Sequence, residues 1–542
     1  MKLIISISPI ITILWILVMS NLVCSKRLLI ITPVPSYSHQ IVFQTINLAL
    51  NKRGHEIVTL TPNILSDPNI TNYTEIHFHR NKLNSFEYEK IANIDMSQVR
   101  WNLTLLAELK IRARLLGHNI ANNVLSHPDL MKYYAKGTNA KFDAVITEMF
   151  TPAIYMLAHR FNAPLIGILT LGLQNYHRFN LGSPVLPSHP SNWELKNHAG
   201  LNLSFWKRLK NFINTWWDIY SWYNDFIYNQ QKIAEKYFGQ DIPYITDVAK
   251  NMSLILINQE PSLAYARPEI PNVIHFSGIH IAKTPPLLPK DLKKFLDEAT
   301  NGFIYISLGS IRKSQLLSPK ILKIFVNTFA NLKYKVLWKF EDDNFDVPSN
   351  VFTSKWVPQQ GVLAHPNIKL FIYQGGLQST EEAVHYAVPL IGIPFVFDQV
   401  CQVMKMVSLG VARYLDIVQL TTSELHDAIL EVVGDKGYKD KMLELRALTK
   451  DKPYDSLENI IWWIEFVMRH NGAPHLRFNG VDTAWYQQFD FDIIVFLTIT
   501  SFSVLCVLLI IIGWVSKKVY TYYDIGNRCP LRKWIRNKMK TA

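Results

Sequence analysis

The strongest constraint on this chain lies near its end. Residues 493–515, IIVFLTITSFSVLCVLLIIIGWV, run for 23 positions without a charged side chain. About 20 apolar residues suffice for a helix to cross a bilayer, and a helix satisfies its backbone polar groups without water. The run is therefore expected to be a transmembrane helix. The tail behind it, 516–542, opens with Lys517 and Lys518 and carries eight Lys/Arg against one acid, Asp524. Basic flanks remain cytosolic, so the tail is assigned to the cytosol. At the other end, residues 3–20 form an apolar run behind Lys2, and small residues stand at Cys24 and Ser25. Residues 1–25 read as a cleaved signal peptide rather than an anchor, because strand-like RLLIITP starts at Arg27. Together these ends predict a single-pass type I protein with a luminal body. The last residues, KMKTA, place Lys538 and Lys540 as in the dilysine retrieval signal of the endoplasmic reticulum, although a basic tail can give this pattern by chance.

This topology absorbs much of the charge. The net charge is +13, but without the tail and Lys2 the body holds 47 basic and 42 acidic residues. It shows no basic patch of the kind that nucleic-acid binding needs. Of four cysteines, Cys24 falls in the signal, Cys506 in the span and Cys529 in the tail. Cys401 alone is left in the lumen, so no internal disulfide and no Cys-rich metal site is expected. Asn69, Asn72, Asn102, Asn202 and Asn251 head Asn-x-Ser/Thr triplets and are candidate glycosylation sites. Their clustering in the first half points to exposed loop surface there.

A chain of 542 residues exceeds one ordinary core. RLLIITPVPSYSHQIVFQTINLALNKRGHEIVTLTP reads as strand, loop, amphipathic helix and strand, a βαβ unit. FDAVITEMF and APLIGILTL are further apolar runs. A Trp/Tyr-rich helical stretch at 200–238 either walls an apolar pocket or packs in the core. GIHIAKTPPLLP, 278–289, reads as a linker. From about residue 300 a second alternation begins, with strand-like GFIYISLGS, YKVLWKF, VFTSKWV, IKLFIYQ and PLIGIPF separated by helical segments. The class is α/β, with two Rossmann-like domains facing one another across a cleft.

Ligands of open α/β sheets bind beyond the carboxyl ends of the strands. Three such ends stand out in the second half. One is Ser307-Leu308-Gly309-Ser310, the second Trp356-Val357-Pro358-Gln359, the third FIYQGGLQSTEEAV at 371–384. Gly375 and Gly376 let backbone amides approach a ligand, and the positive end of the following helix suits phosphate. Ser310 can add a hydroxyl, Trp356 can stack on a planar base with Gln359 at its edge, and Glu382 can accept from sugar hydroxyls. Locally, Ser379-x-x-Glu382 also fits a capping box, Gly-Gly fits a tight turn, and Trp356 fits a core.

Residues 356–399, WVPQQGVLAHPNIKLFIYQGGLQSTEEAVHYAVPLIGIPFVFDQ, resemble the signature of the UDP-glycosyltransferases of animals and plants. RPEIPNVIHFSGIHI, NGFIYISLGS, WWIEFVMRHNGAPHL and the sequence around TAWYQQFDFDIIVF extend the resemblance to membrane-bound animal members, and YQGGLQSTEEA is most like the insect branch. The resemblance implies the GT-B fold, two facing Rossmann-like domains with a C-terminal transmembrane helix. The expected segments are the signal at 1–25, an acceptor-binding domain at 26–285 and a UDP-sugar-binding domain at 286–450. Helices returning to the first domain and the membrane edge follow at 451–492, then the span at 493–515 and the tail at 516–542.

The same resemblance implies site roles. Trp356 matches the uracil-stacking residue and Gln359 its base and ribose neighbour. Ser310 and the 374–379 loop, with Gln374, Gly375, Gly376 and Ser379, match the diphosphate binders. Glu382 matches the ribose ligand, and Asp398 and Gln399 the pair that grips the donor sugar. Many members have histidine at the place of Gln374, whose amide donates a hydrogen bond but carries no charge. His39, in PSYSHQIVF, matches the general base that takes the acceptor's proton. The family's orienting aspartate is replaced by Glu148, one methylene longer; Asp143, at the start of that strand, is the weaker candidate.

The implied reaction is inverting transfer of a hexose from a UDP-sugar to a small lipophilic acceptor. The insect-like branch suggests glucose; glucuronic acid is the alternative. Gln374 and Glu148 keep a second reading open, a catalytically weak UDP-sugar or lipophile binder. A nicotinamide dehydrogenase is excluded because TPVPSYSH stands where a Gly-x-Gly-x-x-Gly would be needed. No cofactor and no metal are expected. Asp490-Phe491-Asp492 abuts the span and reads as an interfacial acidic patch. The sequence leaves self-association and acceptor identity open.

Overall fold

β1 (Arg27–Ile31) is buried on both faces from Leu28 onward. Such a strand belongs in the middle of a parallel sheet covered by helices on both sides. The computed structural model describes residues 25–78, 103–188, 202–309, 314–395, 398–528 and 530–541, and it places β1 there. Among these residues β1, β2 (Glu56–Thr61), β3 (Tyr73–His77), β4 (Ala144–Glu148), β5 (Leu165–Leu169), β6 (Leu254–Asn258) and β7 (Val273–Phe276) form one sheet. Its order is β3-β2-β1-β4-β5-β6-β7, with every pair parallel. Register positions the chemistry. Ile31 of β1 pairs with Thr147 of β4, and Glu148 pairs with Ile168 of β5. The ends of three neighbouring strands are therefore level.

The second sheet follows the same logic. β8 (Phe303–Ser307), β9 (Lys335–Lys339), β10 (Val351–Ser354), β11 (Ile368–Tyr373), β12 (Leu390–Gly392) and β13 (Ala412–Tyr414) lie in the order β10-β9-β8-β11-β12-β13, again all parallel. Each sheet carries one apolar cluster per face. The helix Ser456–His470 completes a face of the first sheet. Its Ile460, Ile461, Ile464 and Val467 pack beside Leu28 and Ile30, and it touches the helix Tyr37–Lys52. Arg53 fastens this layer through Glu465 at 2.8 Å.

The aromatic segment behaves unlike a core helix. The helix Phe205–Ser221 turns Asn211, Thr215 and Ile219 inward. Its apolar stripe faces outward, with Trp206 75% and Trp217 64% exposed. Only the following turn, with Trp222, Phe226 and Ile227, joins Tyr176 and Tyr223 in an apolar cluster. The expectation that the stretch walls a pocket or fills a core therefore holds for its end, and for Ile219 and the Trp216 ring that meets Phe179, but not for the exposed face that carries Trp206 and Trp217.

The described residues divide between Phe478 and Asn479 into two units. The second unit is dominated by the helix Phe491–Arg528, 38 residues long. Phe491–Ile525 is long enough for a membrane span, and its most apolar 18 residues have a mean hydropathy of 2.8. The helix outruns the 493–515 stretch and continues through the basic segment. At 1.5 Å per residue it reaches about 57 Å, roughly twice a ~30 Å hydrocarbon core.

Candidate active site

His39 stands in the first turn of the helix Tyr37–Lys52, which opens on the loop after β1. Because β4 lies beside β1, its last residue, Glu148, meets this turn. The Nδ1 atom of His39 is 2.6 Å from Glu148 Oε1. The side chain of His39 is 12% exposed and that of Glu148 is fully buried. Thr170, one residue past β5, places its hydroxyl 2.7 Å from the same carboxylate oxygen and 2.8 Å from His39 Nδ1. A carboxylate only accepts, so the threonine hydroxyl and the Nδ1–H of a neutral His39 both donate to Glu148 Oε1. This arrangement leaves the His39 Nε2 lone pair free. The other oxygen, Glu148 Oε2, is buried with no partner among the described residues.

Burial disfavours the His39 cation, but the charge and hydrogen bond of Glu148 outweigh it, with help from Asp398, and the imidazole pKa lies above its usual value. Asp143 is elsewhere. At the base of β4 it accepts from the Arg27 amide at 2.8 Å and pairs with Lys26 at 2.9 Å.

Asp398 comes from the other sheet. It opens the helix Asp398–Ser408, and burial pushes its carboxyl up to about 6 even though His39 pulls it down. The two groups thus feel one another's charge from opposite halves. A cavity along this seam is lined by Gly172, Asn258, Leu377, Asp398 and Lys405. Gln399 is turned toward the chain before it, its Oε1 accepting from the Phe395 amide at 2.9 Å.

Of the rest of the second-half set, Gln359 and Ser379 gather at Glu382. Gln359 donates to Glu382 Oε2 at 2.6 Å and to the Ser379 hydroxyl at 3.0 Å, and it accepts from Tyr305 at 3.1 Å. Gln360 donates to Glu382 Oε1 at 3.1 Å, and His280 Nε2 lies 3.4 Å from that oxygen. The capping box expected locally does not form. The helix begins at Leu377 with Gly376 as its N-cap and no side-chain cap, so Ser379 and Glu382 sit inside it and turn to the glutamines. Gly375, at φ +94°, packs so closely under the Asp398–Ser408 helix that a Cβ would lie 2.7 Å from the Gln399 carbonyl oxygen. The Gln374 amide covers Gly309, where a Cβ would fall 2.1 Å from its Nε2. Trp356 is 56% exposed at the mouth of this corner.

Ser310 and Asn102 lie outside the described residues. Asn69, Asn72, Asn202 and Asn251 are all exposed. Sequence reasoning missed Thr170, Gln360 and His280, and gave Gln378 no role beyond its place in the 374–379 loop. Thr170 was within reach, since it follows an apolar strand at its carboxyl end. The other three depend on tertiary neighbours.

Comparison with known proteins points to one family and one fold. Residues 27–528 match the family described as "UDP-glucoronosyl and UDP-glucosyl transferase". UDP-glucosyltransferase 2 of Dactylopius coccus is 33% identical over 505 residues, covering 92% of this chain and 94% of its own. UDP-glucuronosyltransferase 2B18 of Macaca fascicularis is 30% identical over 484 residues, covering 85% and 88%. In fold, the chain resembles the kitacinnamycin glycosyltransferase, with TM-score 0.57 and 16% identity over 82% of this chain and 99% of the other. The calicheamicin glycosyltransferase CalG4 gives 0.52 and 14%, over 82% and 99%. The two parallel sheets are those of the GT-B fold, and the chain belongs to the UDP-glycosyltransferase family, enzymes that transfer a sugar from a UDP-sugar.

Proposed function

We propose that this enzyme moves glucose from UDP-glucose to a hydroxyl of a small lipophilic acceptor, with inversion at the anomeric carbon. The observation that carries the mechanism is the His39–Glu148 pair at 2.6 Å, facing Asp398 from the other sheet. His39 Nε2 takes the acceptor's proton while the acceptor oxygen bonds to the anomeric carbon. The bond from that carbon to the diphosphate oxygen breaks on the opposite side, and UDP leaves with the electron pair. Glu148 holds the imidazole and balances the imidazolium. Asp398 and Gln399 grip hydroxyls of the sugar. Glu382 takes the ribose, Trp356 the uracil, and Gln374, Ser379 and Ser310 the diphosphate. The Gly375–Gly376 amides and the helix end behind them meet the charge of the departing UDP, so no metal is required.

Glucose is preferred because the 33% identical relative is named a glucosyltransferase. Glucuronic acid is the second reading, favoured by the macaque relatives. The C-terminal apolar helix supports a single-pass membrane protein, and we place its catalytic body in the lumen of the endoplasmic reticulum.

The test is a competition of UDP-glucose against UDP-glucuronate with the membrane-bound protein and a panel of phenols, with and without a chelator. Glucoside of inverted configuration is expected, at a rate the chelator leaves unchanged. Glucuronide as the main product would reassign the donor. Tight UDP-sugar binding without any product would leave a binding protein.

A further inference from the structure

We infer that Thr170 and Gln378 are positioning residues that set the proton-accepting pair from the donor side of the cleft. The inference rests on His39 being the base. Glu148 reaches His39 through a side chain with one more rotatable bond than aspartate. Its Oε2 is buried without a partner among the described residues, so its orientation depends on what Oε1 touches. Oε1 touches His39 and the Thr170 hydroxyl, at 2.6 and 2.7 Å. Thr170 is fully buried. A buried hydroxyl costs stability unless it is hydrogen-bonded, and valine would fill the same volume without that cost. Here the hydroxyl spends its donor on the one carboxylate oxygen that orients the imidazole.

Thr170 is in turn held from the other half. Gln378 Nε2 donates to the Thr170 carbonyl oxygen at 3.1 Å, and both side chains are buried. Gln378 is the second residue of the helix behind the Gly375–Gly376 turn. A continuous chain of bonds therefore runs from the loop assigned to the diphosphate, through Gln378 and Thr170, to Glu148 and His39. Moving the donor half away breaks its first link. The threonine hydroxyl then loses its fixed place and the carboxylate its second contact. The base is thereby set when the two halves are docked.

The test uses the full-length protein and the variants Thr170→Val, Thr170→Ser, Gln378→Leu and the double variant Thr170→Val/Gln378→Leu. We expect Thr170→Val to lower kcat by about ten-fold or more with the UDP-sugar KM within about two-fold. The acid limb of its pH–rate profile moves upward, because a carboxylate that loses a donor attracts the imidazolium more strongly. Thr170→Ser restores both. Gln378→Leu lowers kcat in the same way, and the double variant is no worse than the more impaired single one, as expected for residues acting through one path. Thermal melting of each variant separates a folding defect from a kinetic one. An unchanged kcat and pH profile in Thr170→Val would overturn the inference. So would equal losses in Thr170→Val and Thr170→Ser, or independent effects in the double variant. If Gln378→Leu raises the KM for UDP-sugar and leaves kcat alone, Gln378 is a donor ligand only and the link across the cleft is refuted. His39→Ala, run in parallel, tells the two levels apart. Full activity there removes the base itself, whereas loss there beside a normal Thr170→Val removes only the positioning role.

Discussion

The ring of Tyr37 stands edge-on to that of Trp356, with centroids 5.0 Å apart. Tyr37 is two residues before His39, and Trp356 is the proposed uracil platform. The turn that carries the proposed base thus touches the proposed nucleotide corner of the other half. Trp356 keeps a free face, since it is more than half exposed. Replacing it by alanine is expected to weaken UDP binding by about 10- to 100-fold, the range for one lost base–aromatic stack. Trp356→Phe should recover much of the affinity. Calorimetric titration with UDP checks both, and unaltered affinity in Trp356→Ala would remove it from the site.

Removing the base and removing its partner should differ. His39→Ala is expected to abolish transfer while UDP binding persists, because no nucleotide contact is assigned to the imidazole. Glu148→Gln keeps size but turns a double acceptor into an amide with one acceptor oxygen, so His39 can still be bonded yet loses its balancing charge. Turnover should fall by about 10- to 1000-fold, less than for His39→Ala. Glycoside formation with paired UDP titrations decides. Glu148→Gln at full turnover would end the dyad.

Two titrations act in the same direction. His39 must be neutral to accept a proton, and its pKa is raised by Glu148 and Asp398 against burial. Asp398 must be ionised to accept from sugar hydroxyls, and burial lifts it to about 6. Activity is therefore expected to fall on acidification, beginning above the usual imidazole range and steepening near pH 6. Stability runs the other way. The folded Asp398 binds its proton more tightly than the unfolded one, so the stability tied to that proton is present below the ordinary aspartate pKa and lost as pH rises through about 6. Asp398→Asn should melt a few degrees higher than the native protein near pH 8 while transferring sugar far more slowly. A lower melting temperature would show that the carboxylate is needed for folding rather than for the donor.

Much of this architecture is visible in the sequence because strands buried on both faces must be continuous apolar runs. LLII, AVIT, FIYI and LFIY could not be hidden. β3 could, since in Tyr73–His77 only Ile76 is buried. The Phe205–Ser221 helix shows why periodicity alone does not settle orientation. Its apolar stripe is real, yet the protein takes its Asn/Thr face. Ser379 and Glu382 have capping-box spacing, but Gln359 and Gln360, 20 to 23 residues upstream, capture both side chains. His39 and Glu148 were legible through their matched motif, each at a strand end. The place of Thr170 at a strand end was legible too, but its partners were not, because they lie 131 and 22 residues away and only sheet order brings them together.

Gln374 offers the last test, on the residue where this chain departs from many relatives. Its amide lies against Gly309 and 4.0 Å from the position of a Cβ on Gly376, between two turns assigned to the diphosphate. An amide there donates a hydrogen bond with no change of charge between pH 5 and 8. An imidazole donates too, and gains a positive charge on acidification. Gln374→His is therefore expected to bind UDP several-fold more tightly at pH 6 and about equally at pH 8, because a charge-assisted bond to phosphate is roughly twice as strong as a neutral one. Titrating UDP into both proteins at the two pH values measures the difference. If the affinities track one another at both, position 374 makes no contact with phosphate, and the diphosphate must rest on the glycine amides and the hydroxyl of Ser379.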